Sequence, residues 1–257
     1  MSFTVIIPAR LKSSRLPDKP LADIGGKPMV VRVAERAAQC GASRIVIAVD
    51  DESVAVPCRE AGFEVVLTSH ACPTGTDRLA EAVEKIGLAD DEIVVNLQGD
   101  EPLMPLNVIQ DVAALLESRP DCAMATAAHT IHDTESFFNP NVVKVVLDER
   151  NTALTFSRAP IPWPRDHFRV TKDTLPEGFA PLHHLGLYAY RAGFLRRFPT
   201  LAQAPLEKLE SLEQLRALYY GERIAVMVLD AALPAGVDTQ EDLERVRRVF
   251  AEETKSC

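Results

Sequence analysis

Apolar runs alternating with helical patterns predict an α/β protein: a mostly parallel sheet with helices on both faces. Short Val- and Ile-rich runs are apolar on both faces, as strands covered on two sides must be. Stretches with the 3.6-residue period of helices separate them. Polar clusters follow several of the runs directly, at the carboxyl ends of strands, where open α/β sheets bind ligands. With 257 residues, 47% of them hydrophobic and 25% charged, the chain is long enough for one large domain with a sizeable core.

Taken in order, Phe3–Ile7 reads as the first strand and Met29–Cys40 as a helix closed by Gly41. Arg44–Val49 is a strand ending at Asp50 and Asp51, then a helix over about Glu52–Ala61 stops at Gly62. Glu64–Leu67 is a strand, and Thr76–Ile86 a helix with Thr76 as its candidate N-cap. A strand at Glu92–Asn96, a helix at Pro105–Ser118 and a strand at Cys122–Ala128 complete the first half. Val142–Leu147 and Ala153–Ser157 look like a hairpin, and Pro160, Pro162 and Pro164 then surround the single tryptophan, Trp163. The stretch 165–181 is irregular and expected to be a mobile loop. Leu185–Tyr190 returns as a strand, Leu206–Tyr219 as a helix and Ile224–Leu229 as a last strand, and Asp238 opens a final helix.

A formal net charge of -9 argues against nucleic acid as a partner, which needs a basic surface. No apolar run approaches the roughly 20 residues of a membrane span, and the first strand has no signal peptide before it. The 5 cysteines show no C-x-x-C pairing, so reduced thiols in a cytoplasmic protein are expected and a zinc centre is not.

Against this acidic background, Arg10, Lys12, Arg15, Lys19 and Lys27 crowd the loop after the first strand. That concentration suits a ligand with several adjacent negative charges, such as a nucleoside triphosphate. The G-x-x-x-x-G-K-[ST] pattern is missing, so side chains rather than a glycine cradle must supply the charge. Asp100, in Asn96–Pro102, is either a turn residue or an oxygen ligand for Mg²⁺, with Gly99 permitting close approach. Asp238 is a helix cap, with Glu241 following, or a second Mg²⁺ ligand; the two roles are compatible. The helix opening within Pro73–Arg78 offers free N–H groups to a base, ribose or acid, or is simply capped. His183 and His184 enter a strand without metal-ligand spacing, and His184 has either a structural or a binding role. On a continuous helix Glu213 falls inside the arc of Leu206, Leu209, Leu212, Leu215 and Leu218, while Glu207 and Glu210 lie at or outside its edges. It would pair with a core arginine or bind a sugar hydroxyl. Arg158 is a solvated cation or an acid-binding one.

Together the segments P-A-R-L-x-S-S-R-L-P-x-K-P-L, T-G-T-D-R, N-x-Q-G-D-E-P, H-L-G-L-Y-x-Y-R, L-E-x-L-E-Q-L-R and G-V-D-T-x-E-D-L resemble the 3-deoxy-manno-octulosonate (Kdo) cytidylyltransferases, in the same order from about Phe3 to Val249. The resemblance implies a Rossmann-like nucleotidyltransferase fold. Its nucleotide-binding core would span about 1–130 and 220–257, with a smaller, hairpin-containing lobe over about 131–219 for the sugar and the dimer contact. It further implies a Mg²⁺-dependent homodimer that joins CTP and Kdo into CMP-Kdo and pyrophosphate for lipopolysaccharide synthesis; a related acidic sugar, 8-amino-Kdo or a sialic acid, is the alternative. By position, Pro8, Ala9, Arg10, Arg15, Lys19, Thr74, Gly75, Gln98 and Asp100 would bind the nucleotide. Asp100 and Asp238 would hold the metal, and Arg10, Lys19, Asp100 and Asp238 would be catalytic. Arg78, Gln98, Arg158, His184, Glu213 and Gln214 would lie near the sugar.

Overall fold

The computed structural model describes residues 2–11, 16–72 and 74–255, with side chains given up to residue 252. Strand β1 (Phe3–Ala9) leads through a 3-10 turn at Lys19–Leu21 to the short strands β2 (Asp23–Ile24) and β3 (Lys27–Pro28) and helix α1 (Met29–Ala37). Then follow β4 (Arg44–Val49), α2 (Glu52–Glu60), β5 (Glu64–Leu67), α3 (Gly75–Ile86), β6 (Ile93–Asn96) and α4 (Leu106–Ser118). The middle comprises β7 (Met124–Thr130), α5 (Thr134–Phe138), β8 (Lys144–Leu147), β9 (Ala153–Ser157), α6 (Arg165–Phe168) and β10 (Leu182–Arg191). The chain ends with α7 (Ala192–Arg197), α8 (Pro205–Glu210), α9 (Gln214–Tyr219), β11 (Ile224–Leu229) and α10 (Gln240–Lys255).

The chain divides into two compact units. The first takes in residues 1–114, 190–199 and 233–257, the second 115–189 and 200–232. In the first, β6, β1, β4 and β5 lie side by side in that order, every pairing parallel. Their carboxyl ends therefore share one edge. Val5, Ile6, Ile7, Ile47, Ala48, Val49, Val94 and Val95 are fully buried, which is why these strands read as unbroken apolar runs. A separate cluster of Leu16, Ile24, Met29, Val237, Leu243 and Val246 packs the start of α10 against the segment that follows β1. In the second unit β11 pairs in parallel with β7, β10 lies on the other side of β7, and β8 and β9 form the expected antiparallel hairpin.

Several boundaries differ from the sequence reading. Thr74, not Thr76, caps α3: its hydroxyl accepts from Asp77 N at 3.2 Å and donates to Asp77 Oδ2 at 2.7 Å, whereas Thr76 is buried as the second residue of the helix. The helix expected over Leu206–Tyr219 is broken in two because Ser211 adopts a left-handed conformation, with φ of 52°. The segment 165–181, expected to be mobile, carries α6 and is anchored: Phe168 is buried with Ile131 and Phe137, and Leu175 and Phe179 pack on them. The short α5 and α7 went unread because neither is long enough to show a period.

Candidate active site

Two close backbone approaches shape the carboxyl edge of the first unit. A Cβ on Gly99 would sit 3.0 Å from the Pro8 carbonyl, so glycine lets the turn after β6 lie against the end of β1 without either giving way. A Cβ on Gly236 would sit 3.2 Å from Asp100 O, the same carbonyl that accepts from Val237 N at 2.8 Å. Residues far apart in sequence are thereby set against one another, with Asp100 on one strand of chain and Asp238 on the next.

Lys19 joins them. Its Nζ donates to Asp100 Oδ2 at 2.5 Å, to Val237 O at 3.0 Å and to Asp238 Oδ1 at 3.1 Å. Burial works against the ammonium, but hydrogen bonding and charge from Asp100 and then Asp238 outweigh it and raise the Lys19 pKa. A cation thus already sits among carboxylate and carbonyl oxygens, the donor set a hard divalent ion takes. Among the described residues no three His, Cys, Asp or Glu side chains gather as a closed metal cage. The pair instead suits an ion that keeps most of its sites for water and phosphate, as Mg²⁺ does. The neighbouring Glu101 has a buried Oε2 without a partner in the structure. Burial, aided by the charge of Asp100, pushes that carboxyl up to about 8.

Asp238 is not the residue that starts α10. Thr239 and Asp242 cap it reciprocally: Asp242 N donates to Thr239 Oγ1 at 3.2 Å, and Thr239 N to Asp242 Oδ2 at 3.1 Å. The cap that the sequence suggested for Asp238 is therefore made next door.

Arg10 is exposed directly after β1, Pro8 is half-buried and Ala9 buried. Lys27 lies on β3 in an ion pair with Glu35. Lys12 and Arg15 lie outside the described residues. Gly75 opens α3 behind the Thr74 cap, and Gln98 is half-buried in the turn before Asp100. Arg78, expected beside a sugar, is buried and committed elsewhere, donating to Asp50 Oδ2 at 3.0 Å and to Thr68 Oγ1 at 2.5 Å. Asp50 in turn accepts from Leu11 N at 3.0 Å, so the pair braces the backbone just beyond β1. The sequence reading stopped at Asp50 as a strand end; a carboxylate at the carboxyl edge of a parallel sheet was the signal that it did more.

The second unit carries the other candidates in its own framework. Glu210 accepts from Ser157 Oγ at 2.6 Å and from Arg158 N at 2.8 Å, while Arg158 Nε donates to Glu210 O at 2.6 Å and Nη1 to Pro140 O at 3.0 Å. The fully buried Lys144 ties the same loops, its ammonium donating to Val142 O, Arg158 O and Asn139 O at 2.6–2.9 Å. Arg158 is thus oriented rather than merely solvated. Gln214 is buried at the start of α9, and its Nε2 has no hydrogen-bond partner in the structure. A buried amide donor in that state costs roughly 1–3 kcal/mol unless a ligand oxygen meets it. His184 is buried in β10 and contacts Thr126. Burial, with a contribution from the charge of His183, lowers its pKa to about 3.

The buried carboxylate of the α8–α9 segment is Glu207, not Glu213. Glu207 is 2% exposed and pairs with Arg216 through two hydrogen bonds of 2.5 and 2.9 Å. Leu206 and Leu209, expected in the core, face outward. The break at Ser211 shifts the phase of the helical wheel, so Glu213 becomes the half-buried residue entering α9.

A family model described as cytidylyltransferase matches residues 4–224. Among solved structures, that of CMP:2-keto-3-deoxy-manno-octonic acid synthetase complexed with CTP is 40% identical, with a TM-score of 0.85 over 98% of this chain and 99% of that one. The structural match takes in residues beyond the end of the family match. On the extent of these matches and the parallel-sheet architecture that accompanies them, the chain belongs to the cytidylyltransferase family.

Proposed function

We propose that the protein transfers CMP from CTP to the anomeric hydroxyl of Kdo, releasing pyrophosphate and forming CMP-Kdo for lipopolysaccharide assembly. The observation that carries this reading is the meeting of Lys19, Asp100 and Asp238 at the carboxyl edge of a parallel sheet. The 40% identical synthetase solved with CTP supports the choice of nucleotide and acid sugar. In the reaction the anomeric oxygen forms a bond to the α-phosphorus as the bond to the bridging oxygen of pyrophosphate breaks, and the hydroxyl proton passes to water.

Arg10 and Lys19 would offset the charge that grows on the leaving pyrophosphate, with Arg15 assisting from outside the described residues. Pro8, Ala9, Thr74, Gly75 and Gln98 would shape the nucleotide side, and the brace from Arg78 through Asp50 to Leu11 N would fix the loop that presents Arg10. Asp100 and Asp238 would hold Mg²⁺, which when bound supplies charge neutralisation on phosphate oxygens. In the second unit Gln214 Nε2, Arg158, Glu213 and His184 would receive the sugar. A homodimer is part of this reading, and Leu154 of β9, Leu206, Leu209 and Tyr219 are each exposed apolar side chains on that unit that a partner could cover. The reaction would join water-soluble substrates, which suits the cytoplasm; no described helix is long and apolar enough to cross a membrane.

Incubation with CTP, Mg²⁺ and Kdo should release pyrophosphate at a rate set by enzyme concentration. No release at saturating substrates would overturn the reading, and preference for 8-amino-Kdo or a sialic acid in a substrate panel would reassign the sugar.

A further inference from the structure

Thr126 is fully buried on β7, with its hydroxyl oxygen 2.8 Å from Leu187 O, 3.1 Å from Leu185 O and 3.1 Å from His184 Nε2. A threonine hydroxyl has one hydrogen to give, and a carbonyl oxygen can only accept. Sent to Nε2 instead, it would leave the hydroxyl oxygen's lone pairs facing two carbonyl oxygens at 2.8 and 3.1 Å, so it goes to Leu187 O, the nearer carbonyl, or to Leu185 O. What faces His184 is then an oxygen lone pair. If Nε2 also presented a lone pair, two acceptors would meet at 3.1 Å in a dry interior with nothing between them. The arrangement is satisfied only when Nε2 carries hydrogen and donates it to Thr126.

Burial keeps this imidazole neutral, and a neutral imidazole with hydrogen on Nε2 has none on Nδ1. Among the described residues Nδ1 of His184 has no hydrogen-bond partner. The ring itself is fixed by Phe156, whose centroid lies 4.8 Å away at a steep angle, and by Tyr188 at 5.4 Å. The side chain therefore offers a single polar function beyond its own unit's framework: an acceptor.

We propose that Thr126 is a positioning residue that locks His184 in the Nε2–H tautomer, so that Nδ1 accepts a hydrogen bond from a hydroxyl of the acid sugar and cannot bind its carboxylate. The inference rests on the reading of His184 as a sugar-binding residue and adds which chemical group it selects. Carboxylate recognition falls to donors, and Gln214 Nε2 is one without a partner in the same unit.

The test uses the full chain labelled with ¹⁵N-histidine and a long-range proton–nitrogen correlation spectrum, with His184 assigned by its loss in His184→Gln. The expected result is hydrogen on Nε2 and a bare Nδ1. Thr126→Val keeps the shape and removes the hydroxyl. It should give a mixture of tautomers and raise KM for Kdo roughly tenfold, the effect of weakening one neutral hydrogen bond, with KM for CTP within twofold of wild type. Thr126→Ser should restore both readouts. Hydrogen on Nδ1 of the wild-type protein overturns the proposal, as does a Thr126→Val protein with unchanged tautomer and KM. If the valine variant does not fold, the wild-type and serine spectra still decide the tautomer. Unchanged KM for Kdo in His184→Gln, with Nε2–H intact in wild type, would instead defeat the sugar-binding role while leaving the tautomer assignment standing.

Discussion

Replacing Glu207 with leucine should destabilise the protein by about 3–5 kcal/mol, the range for breaking a buried ion pair by removing one partner. Glu207 is 2% exposed and accepts three hydrogen bonds, from Arg216 Nε at 2.9 Å, Arg216 Nη2 at 2.5 Å and Ala204 N at 3.1 Å. Arg216 is itself 5% exposed, so solvent cannot replace the lost carboxylate. At roughly 2–4 °C per kcal/mol for a chain of this size, the melting temperature should fall by about 6–20 °C. Removing both charges as Glu207→Leu with Arg216→Leu should recover most of the loss, since an apolar pair of similar volume is often neutral or better. Urea unfolding of wild type, both single variants and the double variant gives the coupling directly. A single variant within about 1 kcal/mol of wild type would refute the reasoning. So would a double variant no more stable than Glu207→Leu, because the side-chain shape and not the charge would then be at fault. Since the pair spans α8 and α9, the single variant should also loosen Glu210 and Gln214 and raise KM for the sugar before it unfolds.

Asp238→Asn should cut turnover by at least ~10²-fold with the melting temperature nearly unchanged, because Thr239 and Asp242 cap α10 without it; calorimetry beside a pyrophosphate assay separates the two. Gly99→Ala forces its new methyl against Pro8 O, so Asp100 must shift by a few tenths of an ångström, and turnover should fall roughly tenfold; wild-type turnover would show that the loop yields freely. The folded pKa of His184, about 3, lies below its unfolded value of about 6.5, so the unfolded chain binds the extra proton between them. Its contribution is complete above about pH 6.5 and lost as pH falls, amounting to about 2 kcal/mol by pH 5. His183, lowered to about 4 by burial and then by His129, adds less because it is only half-buried. Urea unfolding at about pH 7.5 and pH 5 should show this slope, flattened in His184→Gln; an equal slope in that variant would put the titration elsewhere.

The parallel strands were legible because burial on two faces demands local runs such as Val5–Ile7 and Ile45–Val49, and no distant partner can substitute for that. Lys19, Asp100 and Asp238 were each visible at a strand end or loop. The resemblance paired Asp100 with Asp238 as metal ligands; what no local signal carried was the close backbone approach at Gly99 and Gly236 and the bridge that Lys19 makes between the two carboxylates. Glu213 was placed inward by a wheel that assumed one continuous helix, and a single left-handed residue, Ser211, invalidated the phase. Thr76 was chosen over Thr74 because spacing alone does not say which of two threonines turns back on the helix. Thr126 carried no signal at all: a small polar residue in an apolar strand gains meaning only from the histidine on the strand beside it.

Lys19 and Asp238 are 219 residues apart in sequence yet in direct contact. A ribosome making roughly 5–20 residues per second delivers the C-terminal aspartate about ten seconds or more after the lysine. Once Asn96 has been made, for the later part of that interval, the strands β1, β4, β5 and β6 are all available to pair, while Lys19 still lacks its contact with Asp238. A chain stopped short of residue 238 would hold all four strands but not the carboxylate that meets Lys19. The closing of α10 against the segment after β1 is what sets Asp238 beside Lys19 and Asp100.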